Sequence, residues 1–181
     1  MIEIIRINQP DELNSIFRQI YEEAFPTDER RDWRQMNELL TNPYFCFNGI
    51  YNEQKVVGLQ TIWNLGEFHF MEHFAILDSE RGKGYGSQVL HQILNNISTR
   101  LILEVESSNS HSCLKRIEFY ERMKFMLSEG VYYQPPYSEG KNKVKMKLMS
   151  NPEGILKEDF ATIQNRIYEI VYQYHLKSLV N

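Results

Sequence analysis

The sequence predicts one α/β domain built on a mixed sheet. Three observations carry that prediction. Apolar residues at helical spacing open the chain, strand-like runs fill residues 44–76, and a glycine cluster then introduces a strand–helix–strand order. The 181 residues suit a single domain with a sizeable core. No internal repeat, low-complexity tract or long linker divides them.

Ile2, Ile4 and Ile7 alternate with polar residues and read as a short strand. Asp11 is a candidate cap for a helix carrying Leu13, Ile16, Phe17, Ile20, Tyr21 and Ala24. Pro26 interrupts it. A second helix is expected from Asp28 to Leu40, closed by Asn42-Pro43. Strands are expected at Tyr44–Tyr51 and Lys55–Asn64, joined by a turn at Asn52-Glu53. A third runs Phe68–Ile76, where strict alternation puts Phe68, Phe70, Glu72, Phe74 and Ile76 on one face.

Val89, Leu90, Ile93, Leu94 and Ile97 then mark a helix, followed by a strand at Leu101–Glu106 with Leu101, Leu103 and Val105 on one side. Ser110–Met123 reads as a helix, and Phe125–Tyr133 and Lys143–Met149 read as strands. Pro135-Pro136 must break the ladder between them. Ile163, Ile167, Ile170 and Tyr174 predict an amphipathic helix over Leu156–Leu179, packed on the domain or on a second subunit as a homodimer. The division expected is residues 1–150 as the main domain and 151–181 as the appended helix.

Composition narrows the function. With 42% hydrophobic and 24% charged residues the chain reads as globular. A net charge of -4 gives no reason to expect a nucleic-acid partner. No apolar run reaches the length of about 18 residues that a membrane span needs. The N-terminus reads as a strand and not as a signal peptide. Cys46 and Cys113 lack Cys-x-x-Cys spacing and read as buried free thiols, and the histidines show no metal-ligand spacing. A cytoplasmic protein without a metal is expected.

The sharpest local feature is Arg81-Gly82-Lys83-Gly84-Tyr85-Gly86-Ser87, between a strand and a helix. Glycines let a backbone turn tightly and approach a ligand. The free N–H groups and positive dipole end of the helix suit phosphate oxygens. Arg81 and Lys83 are expected to add mobile positive charge. A mononucleotide P-loop needs Gly-Lys-Ser/Thr, which Gly86-Ser87 lacks, and Gly82-x-Gly84-x-Gly86 is too short for a dinucleotide fingerprint. The loop alone fits either a phosphate site or a structural turn.

Arg81, Gly84 and Gly86 match the pattern Arg/Gln-x-x-Gly-x-Gly/Ala. The match extends back to Glu72-His73-Phe74-Ala75-Ile76 and forward through Leu103-Glu104-Val105 to Phe119-Tyr120-Glu121-Arg122-Met123-Lys124-Phe125. Over roughly Phe45–Phe125 the chain thus resembles the GNAT superfamily of N-acetyltransferases. The resemblance implies an α/β (α+β) fold with a mixed, mostly antiparallel sheet of about seven strands flanked by helices. It also implies a V-shaped splay between the fourth and fifth strands. Acetyl-CoA is the implied donor, its pyrophosphate held by amides of Lys83, Gly84, Gly86 and Ser87 within the Arg81–Ser87 loop, Gly82 and Tyr85 included. Phe74, Ala75 and Ile76 are implied to pair with the pantetheine and polarise the thioester carbonyl. Lys124 departs from the pattern, since the family has glycine there, and this bears on the turn into Phe125.

The implied reaction is direct transfer of an acetyl group to an amine of a small molecule or peptide; an inactive CoA-sensing module is the alternative. Tyr120 matches the tyrosine whose hydroxyl stands near the CoA sulfur, or else is a core residue beside Phe119. Glu72 is the expected base, with a carboxyl raised by burial, or else binds a cationic acceptor across an open groove. His73 is expected to point the other way. Glu29 and the aromatic stretch holding Tyr133 and Tyr137 are the expected acceptor contacts. A charged helix start on the solvated surface explains Glu29 almost as well, and an aromatic-rich edge strand plus a turn explains the tyrosines equally.

Overall fold

The computed structural model describes residues 1–107 and 110–174. Eight strands form one sheet: β1 (Ile2–Ile7), β2 (Phe45–Asn52), β3 (Lys55–Asn64), β4 (Phe68–Ile76), β5 (Arg100–Glu106), β6 (Met126–Leu127), β7 (Tyr132–Gln134) and β8 (Val144–Asn151). Their order is β1-β2-β3-β4-β5-β8-β6, with β7 also paired to β8. Only β4 and β5 pair in parallel. The helices are α1 (Ser15–Ala24), α2 (Trp33–Leu39), α3 (Tyr85–Asn96), α4 (His111–Arg122) and α5 (Lys157–Ile170).

Each face of the sheet buries its own core. Phe17, Ile20 and Tyr21 of α1, Met36 of α2, and Ile163 and Ile167 of α5 cover one face together with Phe45, Phe47, Trp63 and Phe70. Val89, Leu90 and Ile93 of α3, with Tyr120 and Met123 at the end of α4, cover the other. Ile163 and Ile167 of the α5 stripe are therefore buried within this chain, while Tyr174 is exposed.

Several boundaries differ from expectation for local reasons. Asn14, not Asp11, caps α1, its side chain accepting from the Ile16 N–H, while Pro10–Glu12 makes a short 3-10 turn. The expected helix at Asp28 is two pieces, a 3-10 turn at Thr27–Glu29 and α2. Asp32 and Gln35 form a capping box there and restart the helix. The β2–β3 turn is Glu53-Gln54, both at positive φ. The expected Phe125–Tyr133 strand is two short strands, β6 and β7, along the outer edge of β8. α5 ends at Ile170, and the part of its expected span beyond Tyr174 lies outside the described residues.

Two features of β4 shape the site. Thr61 pairs with His73 while Ile62 pairs with Met71, so Glu72 is an extra residue, a β-bulge. The alternation slips there. Phe68 and Phe70 pack with the α1/α5 core, while Phe74 and Ile76 pack with the α3/α4 core. The expected single face is thus broken, and Glu72 and His73 both turn towards α1 and α5. Second, β4 pairs with β5 only over Phe68–Met71 against Arg100–Leu103. Beyond that the strands separate and leave a gap.

Candidate active site

The gap between β4 and β5 opens into a cleft of about 640 Å³. Phe74, Ala75, Ile76, Arg81, Gly82, Gly84, Tyr85, Gly86 and Ser87 line one end, as does Tyr120 of α4. Glu72 and Glu104 line the other strand-bound wall. Lys83, Glu29, Tyr133 and Tyr137 do not line it.

The glycine loop is built as its sequence requires. Gly82 and Gly84 both have φ near +79°, the left-handed region, and Gly84 is the N-cap of α3. No side chain caps that helix, so the amides of its first turn are free for a ligand. A Cβ at Gly86 would stand 3.3 Å from the Phe119 ring. Both basic side chains of the loop are paired within this chain. Arg81 bonds the Ile76 carbonyl and Asp78, and Lys83 bonds Glu80, which also holds Lys55. This set fastens the loop to the end of β4.

The amides along β4 follow from the pleat. The Ala75 carbonyl and the Leu77 N–H both point at β3. Alternation then turns the N–H groups of Phe74 and Ile76 into the gap, where β5 has departed. They are free, preorganised donors. Tyr120 sits on the α3/α4 side with its ring 5.2 Å from Phe119 and 5.5 Å from Phe125. Burial pushes its phenol up to about 12, so it keeps its proton.

Glu72 is not the raised carboxyl expected. Its Oε1 accepts from Arg31 Nη2 at 2.9 Å, and its Oε2 accepts from the Trp63 indole at 2.8 Å. Burial raises its pKa, but Arg31, His73 and Trp63 outweigh burial and hold it below the usual range. His73 is also fully enclosed, bridging Tyr21, Thr61 and the Glu29 carbonyl, and burial lowers it to about 4. Tyr137 completes this cluster, its ring 4.7 Å from the Arg31 guanidinium. Tyr133 points outward, with Lys143 Nζ 5.1 Å from its ring.

The carboxyl that burial does raise is Glu104, on β5, to about 8. Its neighbours Glu72 and Glu29 push the same way, against hydrogen bonding from Tyr172 and Tyr132. Oε1 accepts from the Tyr172 hydroxyl at 2.5 Å, while Oε2 is buried with no partner among the described residues. Glu104 shares the α1/α5 face with Ile102, so it reaches the gap from the side opposite Tyr120. Burial and Glu106 raise Glu29 to about 7, which places its carboxyl beside the end of β5. Reading along the sequence passed over Glu104, although a carboxylate between Leu103 and Val105 in an apolar strand was a visible signal.

Among the described residues no group of histidine, cysteine and carboxylate side chains is arranged to hold a metal, and no helix is long and apolar enough to cross a membrane. Cys113 is buried and bonds Glu106, and Cys46 is half-buried.

Comparison with known proteins agrees with this geometry. No curated protein sequence matches the chain. A solved structure assigned to the GNAT family as an acetyltransferase, from Bacteroides thetaiotaomicron, is 30% identical with a TM-score of 0.88, over 96% of this chain and 99% of that one. The ribosomal-protein-S18-alanine N-acetyltransferase of Escherichia coli shares the fold at 15% identity and TM-score 0.60, over 88% and 98%. A GNAT-family acetyltransferase from Elizabethkingia anophelis, solved with acetyl-CoA bound, shares it at 15% identity and TM-score 0.59, over 82% and 96%. The sequence profile of the Acetyltransferase (GNAT) family matches residues 11–125, and the chain belongs to that family.

Proposed function

We propose that this protein is an N-acetyltransferase that moves the acetyl group of acetyl-CoA directly to an amine of a small molecule or peptide. The observation that carries the reading is the gap between β4 and β5. Free amides of Phe74 and Ile76 enter it, Tyr120 approaches from one side of the sheet and Glu104 from the other. The bound donor in the Elizabethkingia anophelis structure supports acetyl-CoA, and the Escherichia coli relative supports an amine acceptor.

The first-turn amides of α3, from Tyr85 to Ser87, hold the pyrophosphate, with Gly82 and Gly84 allowing its approach. The pantetheine runs along Phe74–Ile76. Acetyl-CoA supplies the activated acyl carbon. Phe74 and Ile76 N–H groups donate to its carbonyl oxygen as charge develops there. Glu104 takes the proton that the attacking amine loses, directly or across one water. Tyr120 gives a proton to the sulfur as the C–S bond breaks and the C–N bond forms. Glu72, held ionised by Arg31, keeps the bulge in place and is not the base.

Glu29, Glu104 and Glu106 gather on the acceptor side. At Glu106 burial is outweighed by Cys113, Glu29 and Arg116, so its carboxyl is held below the usual range and supplies the negative charge that favours a cationic amine. A CoA donor fits a cytoplasmic location. The deciding experiment is thiol release from acetyl-CoA with a panel of alkylamines, polyamines, amino acids and short peptides. Amine-dependent release that Glu104→Gln suppresses at neutral pH is expected. Tight acetyl-CoA binding with no release for any acceptor class would leave a CoA-binding module instead.

A further inference from the structure

The C-terminal helix lies outside the family match at residues 11–125, yet its end reaches the gap. The Val171 carbonyl accepts from Arg31 Nη2 at 2.5 Å. One residue on, Tyr172 donates its hydroxyl to Glu104 Oε1, also at 2.5 Å. The Tyr172 ring is fixed by Tyr137 at 5.2 Å and Tyr168 at 6.4 Å, and the residue is only 8% exposed. Two successive residues of one helix end are thus tied to two charged groups of the site. A helix that only covered a sheet would need neither bond.

We propose that Tyr172 is a positioning residue of the transfer reaction: its hydroxyl bonds Glu104 Oε1 and fixes the carboxyl in the wall of the gap. This rests on the reading of Glu104 as the proton acceptor. The carboxylate has two oxygens, and an unoriented one would spread its lone pairs over several directions. With Oε1 engaged by Tyr172 and Oε2 closed off from solvent, the carboxyl is held in one orientation. The groups facing Glu104 are Tyr172 from the end of α5, Tyr132 from β7, Glu72 from β4 and Glu29 from the turn before α2. Tyr172 and Tyr132 favour the ionised carboxylate, and the two glutamates oppose it. The Tyr132 hydroxyl faces the same carboxylate without meeting hydrogen-bond geometry, so Tyr172 supplies the one well-formed bond. Deleting that donor must make Glu104 hold its proton to higher pH.

The test is a carbon-13 NMR titration of the full chain labelled at glutamate Cδ. The resonance missing from Glu104→Gln identifies Glu104. Its midpoint is expected near pH 8 in the natural chain. Tyr172→Phe should raise it by about one to two pH units, the equivalent of one charge-assisted hydrogen bond. Tyr168→Phe, which removes a nearby hydroxyl bonded to the Tyr133 carbonyl and leaves that of Tyr172, should keep the midpoint in place. The acidic limb of thiol release, measured with acetyl-CoA and a fixed mixture of primary alkylamines, should move with the midpoint. Acetyl-CoA affinity by calorimetry should not change. A folded Tyr172→Phe with an unmoved midpoint, or a moved midpoint with an unmoved rate limb, overturns the proposal. If the natural chain releases no thiol while the midpoint still depends on Tyr172, the transferase reading beneath the proposal is what fails.

Discussion

Arg31 and Glu72 form an ion pair at 2.9 Å that is closed off from water. The same guanidinium bonds the end of α5 and stacks on Tyr137 and Trp63, so it joins the loop before α2, the β4 bulge and the C-terminal helix. A buried pair is costly to break from one side only. Arg31→Met should destabilise the fold by about 3–5 kcal/mol, because Glu72 is left charged and unpaired. Adding Glu72→Met to it should recover part of that loss. Chemical denaturation of the two singles and the double gives the cycle. Additive losses would deny the coupling.

The glycine loop should answer to charge and shape separately from folding. Gly84 sits at φ +79° and no atom crowds it closer than 3.9 Å, so Gly84→Glu fits at a backbone cost of about 1–2 kcal/mol. The carboxylate then stands at the helix end proposed to hold the pyrophosphate. Acetyl-CoA affinity should drop by about tenfold or more, a loss of about 1.4 kcal/mol of binding. Calorimetry on the folded variant checks this, and unchanged affinity removes the loop from the donor site.

Tyr120→Phe keeps the ring that packs against Phe119 and Phe125 and deletes only the hydroxyl. Turnover should decline by about 10²-fold, the low end for a proton donor, while acetyl-CoA affinity holds. Pre-steady-state thiol release separates the two. Equal loss of binding and turnover would make Tyr120 a packing residue.

Glu104 gives a stability prediction with a definite sign. Its carboxyl is raised from the ordinary 4.5 to about 8 in the fold. Between those values the folded chain holds a proton that the unfolded chain has released. Stability from this group is therefore present at low pH and is lost as pH rises from about 4.5 to about 8. Glu104→Gln removes the titration. Its melting temperature should exceed that of the natural chain by a margin that widens across this window and then levels. A pH-independent difference would contradict the burial argument.

Lys124 takes φ +66° in the turn between α4 and Phe125, where the family has glycine. Asn151 Nδ2 bonds the carbonyls of Met123 and Lys124 and secures that turn. Lys124→Gly should stabilise the fold by about 1 kcal/mol through relief of the left-handed strain. Thermal melts decide it, and a destabilised variant would show the lysine side chain to matter more than its backbone.

Periodicity was enough for the order of elements, because each helix stripe and most strands have one partner face. Gly82 and Gly84 were legible for a similar reason: a left-handed backbone at a helix start restricts residue choice locally. The failures share a different cause. Strict alternation misplaced Phe74, Ile76 and His73 because the bulge at Glu72 is set by pairing with Thr61 and Ile62 on β3. Tyr137 and Tyr133 were grouped by sequence, yet one is stacked on Arg31 and the other faces solvent.

By itself the sequence determined the family and the left-handed glycine turn at Gly82 and Gly84, since these depend on local backbone needs and short motifs. Tertiary structure decided which carboxylate is ionised and which is raised. Glu72 and Glu104 are both acidic residues in apolar strands, and nothing local tells them apart. Arg31 reaches one across 41 residues and keeps it ionised, while Tyr172 reaches the other across 68 with a neutral hydroxyl. A full positive charge outweighs burial and a neutral hydrogen bond does not, so the protonation of each carboxyl is set by the partner that folding delivers.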